Sequence, residues 1–146
     1  MVAFNKVADF VEDLAKEVHN FSADTLRLAL SNTAPSSETP NPTTSGNGVL
    51  ANVTQIAYTN VSGGAAPTLS GVTWAESGGT ATLDADDEVI LASGGAIPTF
   101  RYVYIYNDTS ASDSLIGYYD NGSAIDLANG EQVTVQFDAS GILTVT

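Results

Sequence analysis

The chain has 146 residues, 43% of them hydrophobic and only 14% charged. That is length for one domain, residues 1–146, burying roughly two-thirds of its unfolded surface, and it excludes disorder throughout. Seventeen acidic residues face four basic ones (Lys6, Lys16, Arg27, Arg101), a formal net charge of −13; phosphate recognition needs Lys and Arg, and anionic membranes repel such a chain, so neither nucleic acid nor membrane is an expected partner. Without cysteine there is no disulfide framework and no thiolate chemistry.

The N-terminus does not read as a signal peptide, because acidic residues interrupt it from Asp9 onward. No segment approaches the ~20 apolar residues of a membrane span. Residues 5–19 instead predict one amphipathic helix. Phe4, Val7, Ala8, Val11, Leu14, Ala15 and Val18 recur at steps of 3 and 4, with Asp9, Glu12, Asp13, Lys16 and Glu17 opposite. Asn20 is the expected left-handed stop.

Residues 25–31 predict the first strand, with Leu26, Leu28 and Leu30 on one face and Thr25, Arg27, Ala29 and Ser31 on the other. Residues 32–48 then hold Pro35, Pro40 and Pro42 and no large apolar side chain. They read as an extended arm or mobile loop, since prolines at this density exclude a regular helix or central strand and loops this long are usually functional or disordered. Short strands follow at 53–59, 69–74, 80–84, 88–92, 100–107, 115–119, 132–137 and 142–146, most of them separated by Gly-, Asn- and Asp-rich turns such as DNGS at 120–123. The pattern predicts a mainly β fold: an antiparallel β-sandwich, jelly-roll-like, or a partly closed barrel, with one N-terminal amphipathic helix.

Catalytic material is sparse. His19 is the only histidine, and a general base needs a nucleophile and an orienting partner beside it; at the expected helix end it reads as a dipole-stabilised group. Asp84, Asp86, Asp87 and Glu88 form the tightest acidic cluster, which suits Ca²⁺ or a solvated turn but lacks the EF-hand spacing. Asp108, Asp113, Asp120, Asp126, Glu131 and Asp138 fall mostly in turns, and a glycosidase pair is defined by distance in space. No enzyme, metal site or cofactor is expected. Tyr102, Tyr104 and Tyr106 share one strand face with Phe100 in phase, opposite Val103 and Ile105. Such a face packs under a second layer, forms an intersubunit contact or stacks a sugar.

Five blocks carry a resemblance: FNKVADFVEDLAKEVHN (4–20), DTLRLALSNTAP (24–35), FRYVYIYNDT (100–109), LIGYYDNGSAIDL (115–127) and GEQVTVQFDASGILTVT (130–146). They are similar to small structural proteins of tailed bacteriophages, in particular head decoration, or cement, proteins. The resemblance spans both ends of the chain and omits residues 36–99. It implies a non-enzymatic β module on the virion exterior that binds the assembled major capsid protein. It further implies self-association as a trimer at three-fold positions and stabilisation of the shell. The resemblance supplies no binding site; composition and strand alternation point to the arm, through Pro35, Pro40 and Pro42, and the tyrosine face, through Tyr102, Tyr104 and Tyr106, as candidate partner contacts. A tail or baseplate component and a carbohydrate-binding module of a receptor-binding particle are the alternative expectations.

Overall fold

The computed structural model describes residues 2–146. Their architecture is mainly antiparallel β and sandwich-like, not closed into a barrel, with a single short α-helix among the described residues. In chain order the elements are β1 (Phe4–Lys6), α1 (Phe10–Ala15), β2 (Leu26–Ser31), β3 (Thr73–Ser77), β4 (Thr80–Asp84), β5 (Glu88–Leu91), β6 (Ile97–Asn107), β7 (Ser114–Leu127), β8 (Gln132–Val135) and β9 (Leu143–Val145). They form a four-stranded sheet β1-β7-β6-β2, a three-stranded sheet β3-β4-β9 and a two-stranded sheet β5-β8.

The expected helix over 5–19 is corrected to six residues. Phe4, Asn5 and Lys6 are instead the edge strand β1, opposite Tyr119, Tyr118 and Gly117 of β7. Gly117 permits that approach: a Cβ there would lie 2.4 Å from the Phe4 ring and 2.5 Å from the Asn5 carbonyl oxygen. The buried stripe is also rotated from the expected one. Phe10 is fully buried, whereas Val11 is 54% exposed. The helix ends before Asn20 in a Schellman motif, in which Val18 N–H donates to Asp13 O (2.9 Å) and Glu17 N–H to Leu14 O (3.3 Å). Glu17 takes the left-handed position, φ 61°, where glycine or asparagine is usual.

Both faces of the main sheet are covered. Leu28 lies opposite Ile105 and Leu30 opposite Val103 on one face; Ala29 lies opposite Tyr104 and Ser31 opposite Tyr102 on the other; all eight are buried. The segment between β2 and β3 lies along the outer edge of β2. Ile56 N–H donates to Leu30 O, Leu28 N–H to Pro67 O and Leu69 N–H to Leu26 O, each at 2.9 Å, while Leu30 N–H donates to the Tyr58 hydroxyl (2.9 Å). An edge dressed in this way offers no open ladder to a second chain. The strand expected at 53–59 is therefore irregular chain held by single contacts, and the one expected at 69–74 begins four residues later, at Thr73.

The DNGS turn expected at 120–123 lies inside β7. From Phe100 to Tyr102 β6 advances two positions, while its partners in β7 run from Ile125 to Asp120. The surplus residues form a bulge, with Gly122 at φ 80° and its N–H donating to Asp120 Oδ1 (2.8 Å). The bulge breaks the expected phase of Phe100 with the tyrosines. Phe100 lines the same groove as Val103, Tyr119 and Val133, on the face away from Tyr104.

Candidate functional site

The tyrosine row is not open to a partner. Tyr102, Tyr104 and Tyr106 are all buried. Tyr118 stands opposite Tyr104, its ring 5.4 Å away centre to centre. The row packs beneath its own chain, the internal use among the three open to such a face. Burial, with Glu38 next in effect, raises the Tyr104 phenol above its ordinary pKa, and its hydroxyl has no hydrogen-bond partner.

The segment 32–48 is folded back rather than extended. Pro35 and Pro42 are buried, the first opening a 3₁₀ turn (Pro35–Ser37), and Pro40 is exposed. Thr54 donates to Glu38 from both its backbone N–H (2.7 Å) and its hydroxyl (2.9 Å). Asp9 fixes the far end: its Oδ1 accepts from Gly46 N–H (2.7 Å) and its Oδ2 from Gly48 N–H (2.8 Å). Pro35 and Pro42 are enclosed by the chain itself, and the tip around Pro40 is what the segment presents outward.

The Asp84–Glu88 cluster is spent on local structure. Asp84 accepts from Ala85 N–H, Asp86 from the Ser70 hydroxyl and Asp87 from Phe137 N–H. No group of three or more acidic, histidine or cysteine side chains among the described residues is arranged to hold a metal ion. Arg101 and Asp120 form a two-pronged pair (2.6 and 2.9 Å) across the β7 bulge, and the pairing holds the Asp120 carboxyl below its ordinary range.

The densest polar geometry lies where α1 meets the end of β6. Asn107 is fully buried. Its Oδ1 accepts from Thr109 N–H (3.0 Å) and Ser110 N–H (3.2 Å). Its Nδ2 donates to Val18 O (3.1 Å) and Asp24 Oδ2 (2.6 Å), and faces His19 Nδ1 at 3.2 Å. The other ring nitrogen, Nε2, has no hydrogen-bond partner; Asp13 Oδ2 stands 4.0 Å off. Burial lowers the His19 pKa to about 4, so the ring is neutral at pH 7. It forms a triangle with Phe10 (5.8 Å) and Phe21 (5.4 Å), which are themselves 6.2 Å apart, and Trp74 tilts onto Phe21 at 5.2 Å.

Two grooves flank this point and share Glu17 as their common rim. One, of about 540 Å³, is lined by Asp9, Asp13 and Asp24 together with the 109–112 turn. The other, of about 450 Å³, has Leu14, His19, Phe21 and Trp74 as its walls. The surface is short of cations. Glu12, Asp108 and Asp120 face Lys16, Arg27 and Arg101, which leaves fourteen of the seventeen carboxylates without a lysine or arginine partner among the described residues. The expected dipole-stabilised His19 at a helix end is corrected, since α1 ends at Ala15 and burial keeps the ring neutral; Phe21 and Trp74 were missed. The signal was the only tryptophan of the chain and an aromatic residue two places beyond the only histidine.

No family model, curated protein or solved structure matches this chain.

Proposed function

We propose that the protein is a non-enzymatic structural component of a tailed-phage virion, a decoration protein that binds the assembled shell of major capsid protein from outside and stabilises it. The observation that carries the reading is where the five resembling blocks meet. They supply β1, α1, β2, β7, β8, β9 and most of β6, so that every strand of the four-stranded sheet is drawn from them. The omitted middle of the chain supplies β3, β4, β5 and the covering segment. The resemblance is thus a resemblance of framework.

The acidic surface supports the same reading, because it favours a basic partner surface and keeps a protein of high copy number soluble. On a closed shell, weak contacts repeated by a trimer strengthen one another through effective concentration. The test is to mix the purified protein with preformed empty shells and count copies by mass and by particle imaging. Hundreds of copies at three-fold positions and a raised disruption temperature of the shell are expected. A few copies at one vertex would assign the protein to the tail, and no attachment would overturn the proposal.

A further inference from the structure

We propose that the groove between the end of α1 and β3 is a receptor for a lysine or arginine side chain carried on an extended segment of a partner protein, with the alkyl stem on Trp74 and the cationic head at Glu17. The proposal does not require a capsid; it follows from the groove's own chemistry.

The floor is aromatic. Trp74 is half-buried and braced on Phe21, their planes 55° apart. Tryptophan is the strongest of the aromatic cation binders, and the stems of Lys and Arg cover apolar surface while the charged head stays at the rim. The rim is anionic. Glu17 is exposed, has no lysine or arginine within salt-bridge distance among the described residues, and is held in place by a left-handed backbone that a non-glycine residue adopts at a penalty of order 1 kcal/mol. Asp13 stands behind it, its carboxyl pushed up by burial and then by Asp9 and Glu12. The wall is closed by His19, which is 4% exposed and stacks on Phe21. A basic peptide brings what Glu17 lacks, a cation.

The chain already uses this chemistry at the opposite end of the same aromatic cluster. Lys6 Nζ lies 5.6 Å over the Phe10 ring. Phe10, His19 and Phe21 are near-parallel, with interplanar angles of 11–24°. The Phe10 end carries its cation from within the chain; the Trp74 end opens on the groove with none. A metal ion does not fit, since Glu17 is the only carboxylate lining this groove and an aromatic floor supplies no oxygen ligands.

Because Trp74 is the only tryptophan, its emission reports on this groove alone. The probes are eight-residue peptides of Gly and Ser bearing two Lys or two Arg, with an acidic peptide of equal length as control. The expected result is a saturable change in Trp74 emission with both basic peptides and none with the acidic one. Glu17→Gln is expected to weaken binding about three- to fivefold, the range of an exposed ion pair. Glu131→Gln, the same charge change at the distant 128–131 turn, is expected to leave it unaltered. Trp74→Leu, read by calorimetry, is expected to weaken it about three- to fivefold. The proposal is overturned if the basic peptides do not bind, if they bind without a change in Trp74 emission, or if the two glutamate variants weaken binding equally, which would mean diffuse attraction to an acidic surface. The unfolding transition of each variant checks that the fold is retained.

Discussion

Replacing Asn107 by alanine should be among the most damaging single changes in the molecule. The side chain has no exposed surface and joins three parts of the chain: the 18–24 connection, the end of β6 and the 107–114 turn. Its truncation abolishes the bonds from Thr109 N–H and Ser110 N–H and the bond to Val18 O, each worth about 1 kcal/mol net. It also removes the bond to the Asp24 carboxylate, worth about 2 kcal/mol because the acceptor is charged. The sum is about 5 kcal/mol against a total of roughly 5–15 kcal/mol for a domain. Relaxation of the turn offsets part of it, so we expect a loss of about 4 kcal/mol, or a melting point lower by about 10 °C at this size. Urea unfolding followed by Trp74 emission and far-ultraviolet dichroism measures it. Asn107→Asp separates the two halves of the network. It keeps the acceptor for Thr109 and Ser110 but sets a second carboxylate 2.6 Å from Asp24 Oδ2. That variant should be destabilised at neutral pH and recover part of the loss on acidification, since a like-charge pair raises the folded carboxyl pKa and stability then increases as protons bind. A loss below about 1 kcal/mol for Asn107→Ala would refute the idea that this side chain is the junction of the three segments.

Three further outcomes follow from named contacts. The folded His19 pKa lies near 4, below its ordinary 6.5, so the unfolded chain binds the extra proton first. Stability is complete above about pH 6.5 and declines down to about pH 4, losing about 2 kcal/mol between pH 7 and 4.5, and His19→Gln should remove that component from the pH–stability curve. Tyr104→Phe deletes a buried hydroxyl without a partner and should be neutral or stabilising by about 1 kcal/mol. Tyr58→Phe, which orphans Leu30 N–H, should destabilise by about 1–2 kcal/mol; chemical denaturation of the pair exposes the contrast. Asp9→Ala should destabilise by about 2–3 kcal/mol through the loss of two charge-assisted bonds and should accelerate amide exchange at Gly46 and Gly48; unchanged exchange would show that the loop holds itself.

What could be read from the sequence was whatever depended on local alternation. The 80–84 strand stands where the pattern put it, and β2 and β6 differ from expectation by only one to three residues at their starts. What could not be read was the partner of each segment. Phe4 and Val7 fit a helix stripe by spacing, but pairing of 4–6 with β7 decided their state, and that pairing depends on Gly117, more than a hundred residues away. Alternation put Ala29 and Ser31 on the face opposite Leu28 and Leu30, but it did not say that both faces would be buried. Composition made the 32–48 segment look free. A single carboxylate, Asp9, assigned to a solvated helix face, is what ties its end down. Of the candidate site, His19 was visible as a lone residue; the ring cluster around it was not, because Phe10, Phe21 and Trp74 come from α1, a connection and β3.

The pairing of Phe4 with Tyr119 and of Leu26 with Asn107 also sets an order of events at the ribosome. Both outer strands of the main sheet are made first and both inner strands much later, with residues 32–96 between them. Chain growth at about 5–20 residues per second leaves Leu26, Leu28 and Leu30 without their partners for several seconds, until β6 has emerged. Topologies that join such distant segments must close large loops before any contact rewards them, and they fold on the millisecond-to-second scale. A nascent chain halted before Ile97 therefore holds neither inner strand of the four-stranded sheet, and the excess of eleven acidic over three basic residues in 1–96 must keep it soluble in the interval.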